Sequence, residues 1–302
     1  MVGDRIHPGG GPAELNTAEV NTAEVNTAGL DSVGLDVAEL TAGLRADYDA
    51  AADDWAGGLT GPGSMYAPLA RSLVAVAPVP LAGRLVLDLG AGTGVAGQAA
   101  LAAGARRVVA ADLSEGMLRR VRGGTPVVAD AVALPFRDGR FDLVLAAFCL
   151  NHLGRVEDGL SEARRVGAAI AASAFAPGWT HPAKEAADGA FRSFGYQPPG
   201  WYAALAPGTR AGDPEVLAQT AAAAGFTRVR VRTVSVPTAL ATPADLVSWR
   251  LGMAHYAPFL RSLDPAGRAA VRREAERAVA MSIDGATGGG PLVVSMVVLT
   301  AS

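Results

Sequence analysis

The segment LVLDLGAGTG at residues 85–94 sets a mostly apolar run directly before a glycine-rich turn. The apolar half predicts a buried β-strand. Glycine adopts positive φ angles and lets a ligand approach backbone N–H groups that side chains would block. Residues 95–103 then show a helical pattern, so a ligand on the turn would meet a helix N-terminus. The segment therefore predicts a strand, loop and helix that together bind a cofactor.

The glycine loop is compatible with more than one cofactor. Residues 92–97, GTGVAG, satisfy the pattern G-x-G-x-x-G, which binds NAD or FAD by holding pyrophosphate at the helix end. Asp88, two residues before Gly90, would repel a pyrophosphate and attract the ammonium group of an amino acid. The loop therefore favours a cationic ligand, and a nicotinamide-dependent oxidoreductase stays as the weaker alternative.

Two later apolar runs also end in carboxylates. Asp112 follows residues 108–111 and lies about 20 residues beyond the glycine loop, where dinucleotide-binding folds place a ribose-binding acid. Ser114 can cap the helix that follows. Asp130 closes the run at 127–129 and can accept a hydrogen bond from an adenine amino group. The alternative for Asp112 is a simple capping role.

Together with DAVALPF at residues 130–136 and FDLV at residues 141–144, these segments resemble the successive motifs of class I S-adenosylmethionine-dependent methyltransferases. The ubiquinone- and menaquinone-biosynthesis enzymes and their small-molecule relatives are the most similar type. The resemblance extends from about residue 48 to the C-terminus and is strongest over residues 86–153. It implies S-adenosyl-L-methionine as cofactor and S-adenosyl-L-homocysteine as product.

The alternation of predicted strands and helices indicates an α/β fold with a doubly wound parallel sheet. The resemblance makes this sheet Rossmann-like, with seven strands of which the last is antiparallel, preceded by N-terminal helices and roofed by helical insertions. We expect strands near residues 85–89, 107–112, 126–130, 141–147, 168–175, 227–236 and 291–300. The cofactor contacts that the resemblance implies are Asp88, Gly90, Ala91, Gly92, Gly94, Asp112, Leu113, Met117, Asp130, Ala131 and Phe148.

The candidate catalytic residues are His152, Tyr48 and His181. Methyl transfer needs chiefly an aligned acceptor, and it needs a base only when the acceptor must lose a proton. His152 follows the fourth predicted strand, at the sheet edge where open α/β folds bind ligands, and an imidazole titrates near neutral pH. Its alternative role is a hydrogen bond that holds the loop. Tyr48 belongs to a segment that folds over the cofactor in similar enzymes, and its alternative is core packing.

Two stretches, residues 177–208 and 243–281, exceed the minimal fold and are rich in aromatic residues. In related enzymes such insertions roof the substrate pocket. They predict a small aromatic or heteroaromatic acceptor, methylated on carbon, nitrogen or oxygen, within specialised metabolism. Packing inside a helical subdomain is the alternative for each aromatic residue, and a non-methylating, cyclase-like use of the same fold is the alternative for the chain. The substrate-pocket candidates are Asn151, Trp179, Trp201, Tyr202, Trp249, His255 and Tyr256.

The chain divides into three predicted segments. Residues 1–40 repeat a five-residue unit and predict a disordered low-complexity tail, residues 41–84 a helical segment or lid, and residues 85–302 the methyltransferase domain with its insertions. The net charge of −3 offers no positive field for nucleic acid. A single cysteine excludes an internal disulfide, and no apolar run reaches the roughly 18 residues of a membrane span. We expect a cytoplasmic monomer or homodimer that binds a small-molecule substrate, without metal, membrane or nucleic-acid partners.

Overall fold

The computed structural model describes residues 36–58, 65–205, 210–284 and 291–302, and the statements below concern those residues. Most of the predicted low-complexity tail lies outside them. The first described helix begins at Val37, so the helical segment starts a few residues before the predicted boundary at residue 41.

A seven-stranded sheet with the order β3-β2-β1-β4-β5-β7-β6 forms the centre of the described chain. Strands β1 to β5 pair in parallel, and β7 is antiparallel to both of its neighbours, as the family resemblance implied. The strands are β1 (Leu85–Leu89), β2 (Arg107–Asp112), β3 (Thr125–Val128), β4 (Leu143–Ala147), β5 (Ile170–Phe175), β6 (Arg230–Pro237) and β7 (Val293–Ala301).

Helices cover both faces of the sheet and its carboxyl edge. In chain order the α-helices are α1 (Val37–Gly58), α2 (Tyr66–Ala75), α3 (Val95–Ala102), α4 (Glu115–Leu118), α5 (Val156–Val166), α6 (Pro182–Ser193), α7 (Gly200–Leu205), α8 (Pro214–Ala223), α9 (Pro243–Leu251), α10 (Ala257–Ser262) and α11 (Pro265–Asp284). A 3-10 turn at Leu150–His152 follows β4. No helix among these is both long and apolar enough to cross a membrane.

The predicted strand positions are confirmed, with several ends shifted by one to three residues; the largest shift is at β6, which begins at Arg230 instead of residue 227. β3 stops at Val128 because Asp130 turns back and forms an isolated bridge with Ala133. β4 begins only at Leu143 because the carboxylate of Asp142 accepts hydrogen bonds from Arg84 and from the backbone N–H of Leu85.

The sheet separates two buried apolar clusters. Leu85, Leu87 and Leu89 face the cluster that also contains α5 and α8, whereas Val86 faces the cluster with α2, α3, α6, α9 and α11. Successive side chains of a strand point to opposite faces, and a strand covered on both faces is apolar throughout. Asp88 is the one polar residue of β1, and it is 1% exposed.

The two aromatic-rich insertions form a helical roof together with α1. Residues 177–208 supply α6 and α7, and residues 243–281 supply α9, α10 and most of α11. Trp201 of α7 packs against Leu40 and Ala51 of α1, and its indole N–H donates to Asp47 Oδ2 at 2.8 Å. The roof therefore lies against the N-terminal helix.

Gly90 offers a test of the turn that ends β1. Its φ is 63°, and a Cβ built there would lie 2.5 Å from Cys149 Sγ. We expect Gly90→Ala to lower the free energy of unfolding by the cost of a strained backbone, about 1 kcal/mol, plus about 1–3 kcal/mol for the overlap. Gly83→Ala is the matched control, because φ is 75° there and nothing lies within 4 Å. Equal losses for the two variants in urea unfolding would contradict the packing argument.

Candidate functional site

A cavity of about 480 Å³ lies at the carboxyl ends of β1, β2 and β4, beneath the helical roof. The glycine loop after β1 lines it together with the residues that follow β2, β3 and β4. Aromatic side chains from α1, α2, α7 and α9 line it as well. Open α/β sheets bind ligands at this edge, so the cavity is the candidate functional site.

The glycine loop is held by two carboxylates. Asp88 Oδ2 accepts from the N–H of Gly97, in the first turn of α3, at 2.7 Å. Asp112 Oδ2 accepts from the N–H of Gly92 at 2.7 Å, and Asp112 Oδ1 accepts from the N–H of Ser114 at 2.8 Å. Gly92 has a φ of 54°, with open space where a Cβ would stand. A ligand can therefore approach the backbone there.

Asp88 is buried and Asp112 is partly buried, and neither is paired with a cation in the described residues. Burial, aided by the nearby charge of Asp112 and opposed by the hydrogen bond from Gly97, raises the pKa of Asp88 to about 7. Burial likewise raises the pKa of Asp112. Within the described ranges no arginine, lysine or histidine forms an ion pair with either aspartate or with Asp130. This end of the cavity suits a ligand that carries positive charge, and it does not suit a pyrophosphate.

Most predicted cofactor residues line the cavity, and two do not. The lining includes Asp88, Gly90, Ala91, Gly92, Asp112, Leu113, Asp130, Ala131 and Phe148. Met117 is fully buried in the core. Gly94 lies behind the loop, where its φ of 85° starts α3 and a Cβ would contact Val121. Both residues are close in sequence to residues that line the cavity, but they themselves contact the protein interior.

Tyr48 and His152 come together at the cavity wall. The hydroxyl of Tyr48 lies 3.0 Å from His152 Nε2, and both residues line the cavity. Burial raises the pKa of Tyr48 and lowers that of His152 to about 4, so both groups are uncharged at neutral pH. Asp49, the next residue of α1, accepts from Ser114 Oγ at 2.6 Å and from the N–H of Gly116 at 2.7 Å. These bonds join α1 to the loop after β2 and fix the position of Tyr48.

His181, the third catalytic candidate, lies outside the cavity lining. It precedes α6, and its Nδ1 accepts from the N–H of Ala183 at 3.2 Å, so the side chain caps the helix. The structure does not bring it to Tyr48 and His152. Its local sequence, a residue directly before a proline at the start of a helix, is the signal that predicts a capping position.

Five of the seven substrate-pocket candidates line the cavity: Asn151, Trp179, Trp201, Tyr202 and Trp249. The side-chain oxygen of Asn151 is buried without a hydrogen-bond partner in the described chain. The other two candidates lie behind the wall. His255 stacks on Tyr202 with ring centroids 3.9 Å apart, and the Tyr256 hydroxyl bonds to Asp188 and Arg250.

Several lining residues were not among the candidates predicted from the sequence, including Trp55, Tyr66, Phe175, Lys184 and Arg250. Trp55 follows Tyr48 by seven residues, so the helical period places both on one face. Lys184 is the sole lysine of the chain, and this is the one feature of the sequence that distinguishes it. Nothing local distinguished Arg250 from the other arginines. No group of three or more potential metal ligands occurs in the described part of the chain.

Asp88→Asn tests the electrostatics of the ligand-free site. A carboxyl whose pKa is raised from about 3.9 unfolded to about 7 folded binds its proton more tightly in the native state. The free energy of unfolding should therefore fall as the pH rises from about 4 to about 7, by at most about 4 kcal/mol from this group. Asparagine can still accept from Gly97 but does not titrate, so the variant should lose that part of the slope.

The measurement is chemical unfolding between pH 5 and pH 8.5. Asp54→Asn, which changes an exposed aspartate of α1, is the control and should keep the slope of the parent protein. An unchanged slope in Asp88→Asn would contradict the assignment of a raised pKa to Asp88.

Comparisons with known proteins agree with the geometry. Residues 87–169 match the family described as methyltransferase domain. The demethylmenaquinone methyltransferase of Clavibacter sepedonicus is 48% identical over 97 residues, which cover 30% of this chain and 39% of that protein. The corresponding enzyme of Thermobifida fusca is 45% identical over 93 residues, which cover 28% of this chain and 39% of that protein. The match thus spans about two fifths of the length of these curated relatives.

A solved structure from Anabaena variabilis, named as a methyltransferase of an antibiotic biosynthesis pathway, has a TM-score of 0.54 to this chain. The alignment covers 77% of this chain and 96% of that one at 15% identity, so it shows the shared fold. The family match, the similar sequences and the strand order with an antiparallel β7 agree with one another. Residues 87–169 thus match a methyltransferase domain, and the chain is similar over about this region to enzymes of ubiquinone and menaquinone biosynthesis.

Proposed function

We propose that this chain transfers a methyl group from S-adenosylmethionine to carbon, nitrogen or oxygen of a small aromatic or heteroaromatic metabolite. One observation carries the proposal. A single cavity has carboxylates without a cation partner beside the glycine loop and aromatic side chains along its walls. The first feature fits a cationic cofactor, and the second fits a flat acceptor. A place in specialised metabolism stays a prediction.

The cofactor would be held by the residues around the glycine loop. Asp112 already accepts one backbone N–H on each oxygen. A carboxylate has about four lone-pair sites, so the two ribose hydroxyls can still donate to it. Asp88 would attract the ammonium group of the amino-acid portion. Asp130 would accept a hydrogen bond from the adenine amino group. Phe148, held at a φ of 53°, would contact the cofactor beside Ala131.

When bound, S-adenosylmethionine supplies a methyl group on a positively charged sulfonium, already activated for displacement. The chain must therefore align the acceptor and exclude water, and alignment alone contributes about 7–11 kcal/mol in favourable cases. Trp179 and Phe175 stack with centroids 5.2 Å apart, and Trp55 and Tyr66 stack at 5.6 Å. Such paired rings offer flat, apolar walls against which an aromatic acceptor can pack.

The Tyr48 and His152 pair would orient the polar group of the acceptor. An uncharged imidazole can accept a hydrogen bond from the hydroxyl of Tyr48. The phenolic oxygen is then free to accept a hydrogen bond from an O–H or N–H group of the methyl acceptor. Where the methyl acceptor must lose a proton, the oxygen of Tyr48 takes up that proton. At the same time the hydroxyl proton of Tyr48 moves to His152 Nε2. The low pKa of His152 makes the imidazolium costly in the empty site, so the orienting role is the one that the geometry favours.

Calorimetric titration with S-adenosylmethionine and S-adenosylhomocysteine tests the proposal, followed by mass spectrometry of reactions with a panel of indoles, phenols and quinones. Micromolar binding and a gain of one methyl group on a panel member would support it. Formation of S-adenosylhomocysteine distinguishes methyl transfer from a cyclase-like use of the fold, which releases none. Absence of binding to either compound would contradict the proposal.

We expect Asp112→Ala to weaken binding of S-adenosylhomocysteine tenfold or more. The substitution removes charge-assisted hydrogen bonds to ribose, each worth roughly 1.5–3 kcal/mol, and it releases the N–H of Gly92. Asp138→Ala, at an exposed carboxylate paired with Arg165, is the control and should retain the parent affinity. Retention of full affinity by Asp112→Ala would exclude the ribose contact.

For the Tyr48 and His152 pair, we expect His152→Ala to lower kcat by roughly tenfold or more while changing the affinity for S-adenosylhomocysteine little. Tyr48→Phe keeps the ring and its packing on Trp55 and should reproduce the loss of kcat. Because the pKa of His152 is about 4, the parent rate should not fall from protonation of this group between pH 8 and pH 6. Equal losses of turnover and cofactor affinity would indicate that the pair only shapes the pocket.

A further inference from the structure

Arg155 and Asp158 line the cavity as an exposed ion pair, 3.1 Å apart, whose charges offset each other. The other charged aspartate, lysine and arginine residues of the lining are segregated by sign. Asp88, Asp112 and Asp130 line it at the glycine loop, whereas Lys184 of α6 and Arg250 of α9 line it under the roof. A series of ring contacts connects the two regions. The ring of Phe148, next to the glycine loop, lies 4.7 Å from that of Phe175, measured between ring centroids. The next centroid distances are 5.2 Å from Phe175 to Trp179 and 6.4 Å from Trp179 to Trp249. The guanidinium of Arg250 lies 5.1 Å from the ring centre of Trp249.

The two cations share one buried carboxylate, that of Asp188. Arg250 is 3% exposed, and its Nε and Nη2 donate to Asp188 Oδ1 and Oδ2 at 2.8 and 3.0 Å. Lys184 Nζ lies 3.1 Å from Asp188 Oδ2. Asp188 is not part of the cavity lining, although both of its cationic partners are. The charge presented to the cavity in this region is therefore positive.

One further carboxylate lies near the pair. Glu185 Oε1 is 3.4 Å from Lys184 Nζ, but its side chain is 54% exposed and also accepts from Thr180. Water screens such a surface charge strongly. Without Glu185, the cluster consists of two buried charges, Arg250 and Asp188, and the partly buried Lys184, and its sum is one positive charge.

Arg250 retains donors that nothing in the described chain accepts. Its Nε and Nη2 serve Asp188 and Tyr256, whereas no hydrogen bond from Nη1 to the described residues is found. A guanidinium has five N–H donors and binds carboxylates with two of them at once. Asp188 offsets only one of the two positive charges of Lys184 and Arg250. An anionic group that accepts from Arg250 Nη1 beside Lys184 Nζ would therefore be stabilised.

We propose that Lys184 and Arg250 form a subsite for the carboxylate of the methyl acceptor, and that the acceptor is accordingly an aromatic carboxylic acid. This inference rests on the proposed function, because it places the acceptor in the same cavity as the cofactor. A single excess positive charge matches a carboxylate better than a doubly charged phosphate. The aromatic side chains between the two regions would hold the ring, with the carboxylate on the side away from the cofactor.

The competing explanation is that the cluster only ties α6 to α9. Binding of matched acids and amides separates the two, because an amide keeps the shape of the acid and lacks its charge. We would use benzoate, indole-3-carboxylate and 2-naphthoate with the corresponding amides, at pH 7.5. Affinity is measured by quenching of tryptophan fluorescence and by calorimetry, with and without S-adenosylhomocysteine. Trp179 and Trp249 lie in the cavity wall and should report binding.

We expect at least one acid to bind about tenfold more tightly than its amide, the effect of one charge-assisted hydrogen bond. Lys184→Met should remove most of this preference and leave amide binding unchanged. Lys184→Arg should keep the preference because it keeps the charge. Arg277→Met, which removes a positive charge at an exposed ion pair of α11, is the control for net charge and should keep the preference too.

The proposal would be overturned if no acid binds more tightly than its amide. It would also be overturned if Lys184→Met weakens acid and amide equally, since a purely structural cluster predicts that result. Failure of the proposed function has a different signature, namely absence of S-adenosylhomocysteine binding or of methyl transfer. The comparison of acid and amide binding without S-adenosylhomocysteine tests the subsite whether or not the protein binds that cofactor product.

Discussion

The buried carboxylate of Asp88 and its bond from the N–H of Gly97 hold the sheet, the glycine loop and helix α3 in one arrangement. The bond is 2.7 Å long and connects the end of β1 to the first turn of α3. A Cβ at residue 97 would lie 2.9 Å from both Asp88 Oδ2 and Val108 Cγ1, so only glycine lets the helix approach so closely. The close approach keeps the helix N-terminus directed at the cavity, where its N–H groups can meet a ligand.

This arrangement leaves an electrostatic imbalance at the cavity. Asp88 and Asp112 satisfy their hydrogen bonds with backbone N–H groups but have no cation partner in the described residues. Desolvation raises the pKa of both carboxyls for that reason. A cationic ligand would restore the balance, and its binding energy would offset the destabilisation of the empty site. At the roof the imbalance has the opposite sign, because Lys184 and Arg250 share Asp188.

The roof supplies what the sheet alone lacks. The minimal α/β sheet ends in loops that face water, whereas α1 and the two insertions enclose the cavity with aromatic side chains. α1 is held at two places: Asp49 accepts from Ser114 and Gly116, and Asp47 accepts from Trp201. The first contact joins α1 to the segment after β2, beside the glycine loop, and the second joins it to α7 of the roof. A motion of α1 would therefore affect both halves of the site together.

The sequence by itself determined the strands, their order of appearance and the carboxylates at the ends of β1 and β2. Apolar runs, glycine turns and acidic strand ends are local patterns, and local backbone geometry places each such residue. Only the tertiary structure decided which distant residues meet. Tyr48 and His152 lie 104 residues apart, and Arg250 and Asp188 lie 62 apart. His181 and His255 were site candidates because each lies in one of the two insertions, yet one caps a helix and the other is buried behind Tyr202. Such pairings depend on how the helices pack over the edge of the sheet. A local sequence pattern describes one segment and does not determine which distant segment packs against it.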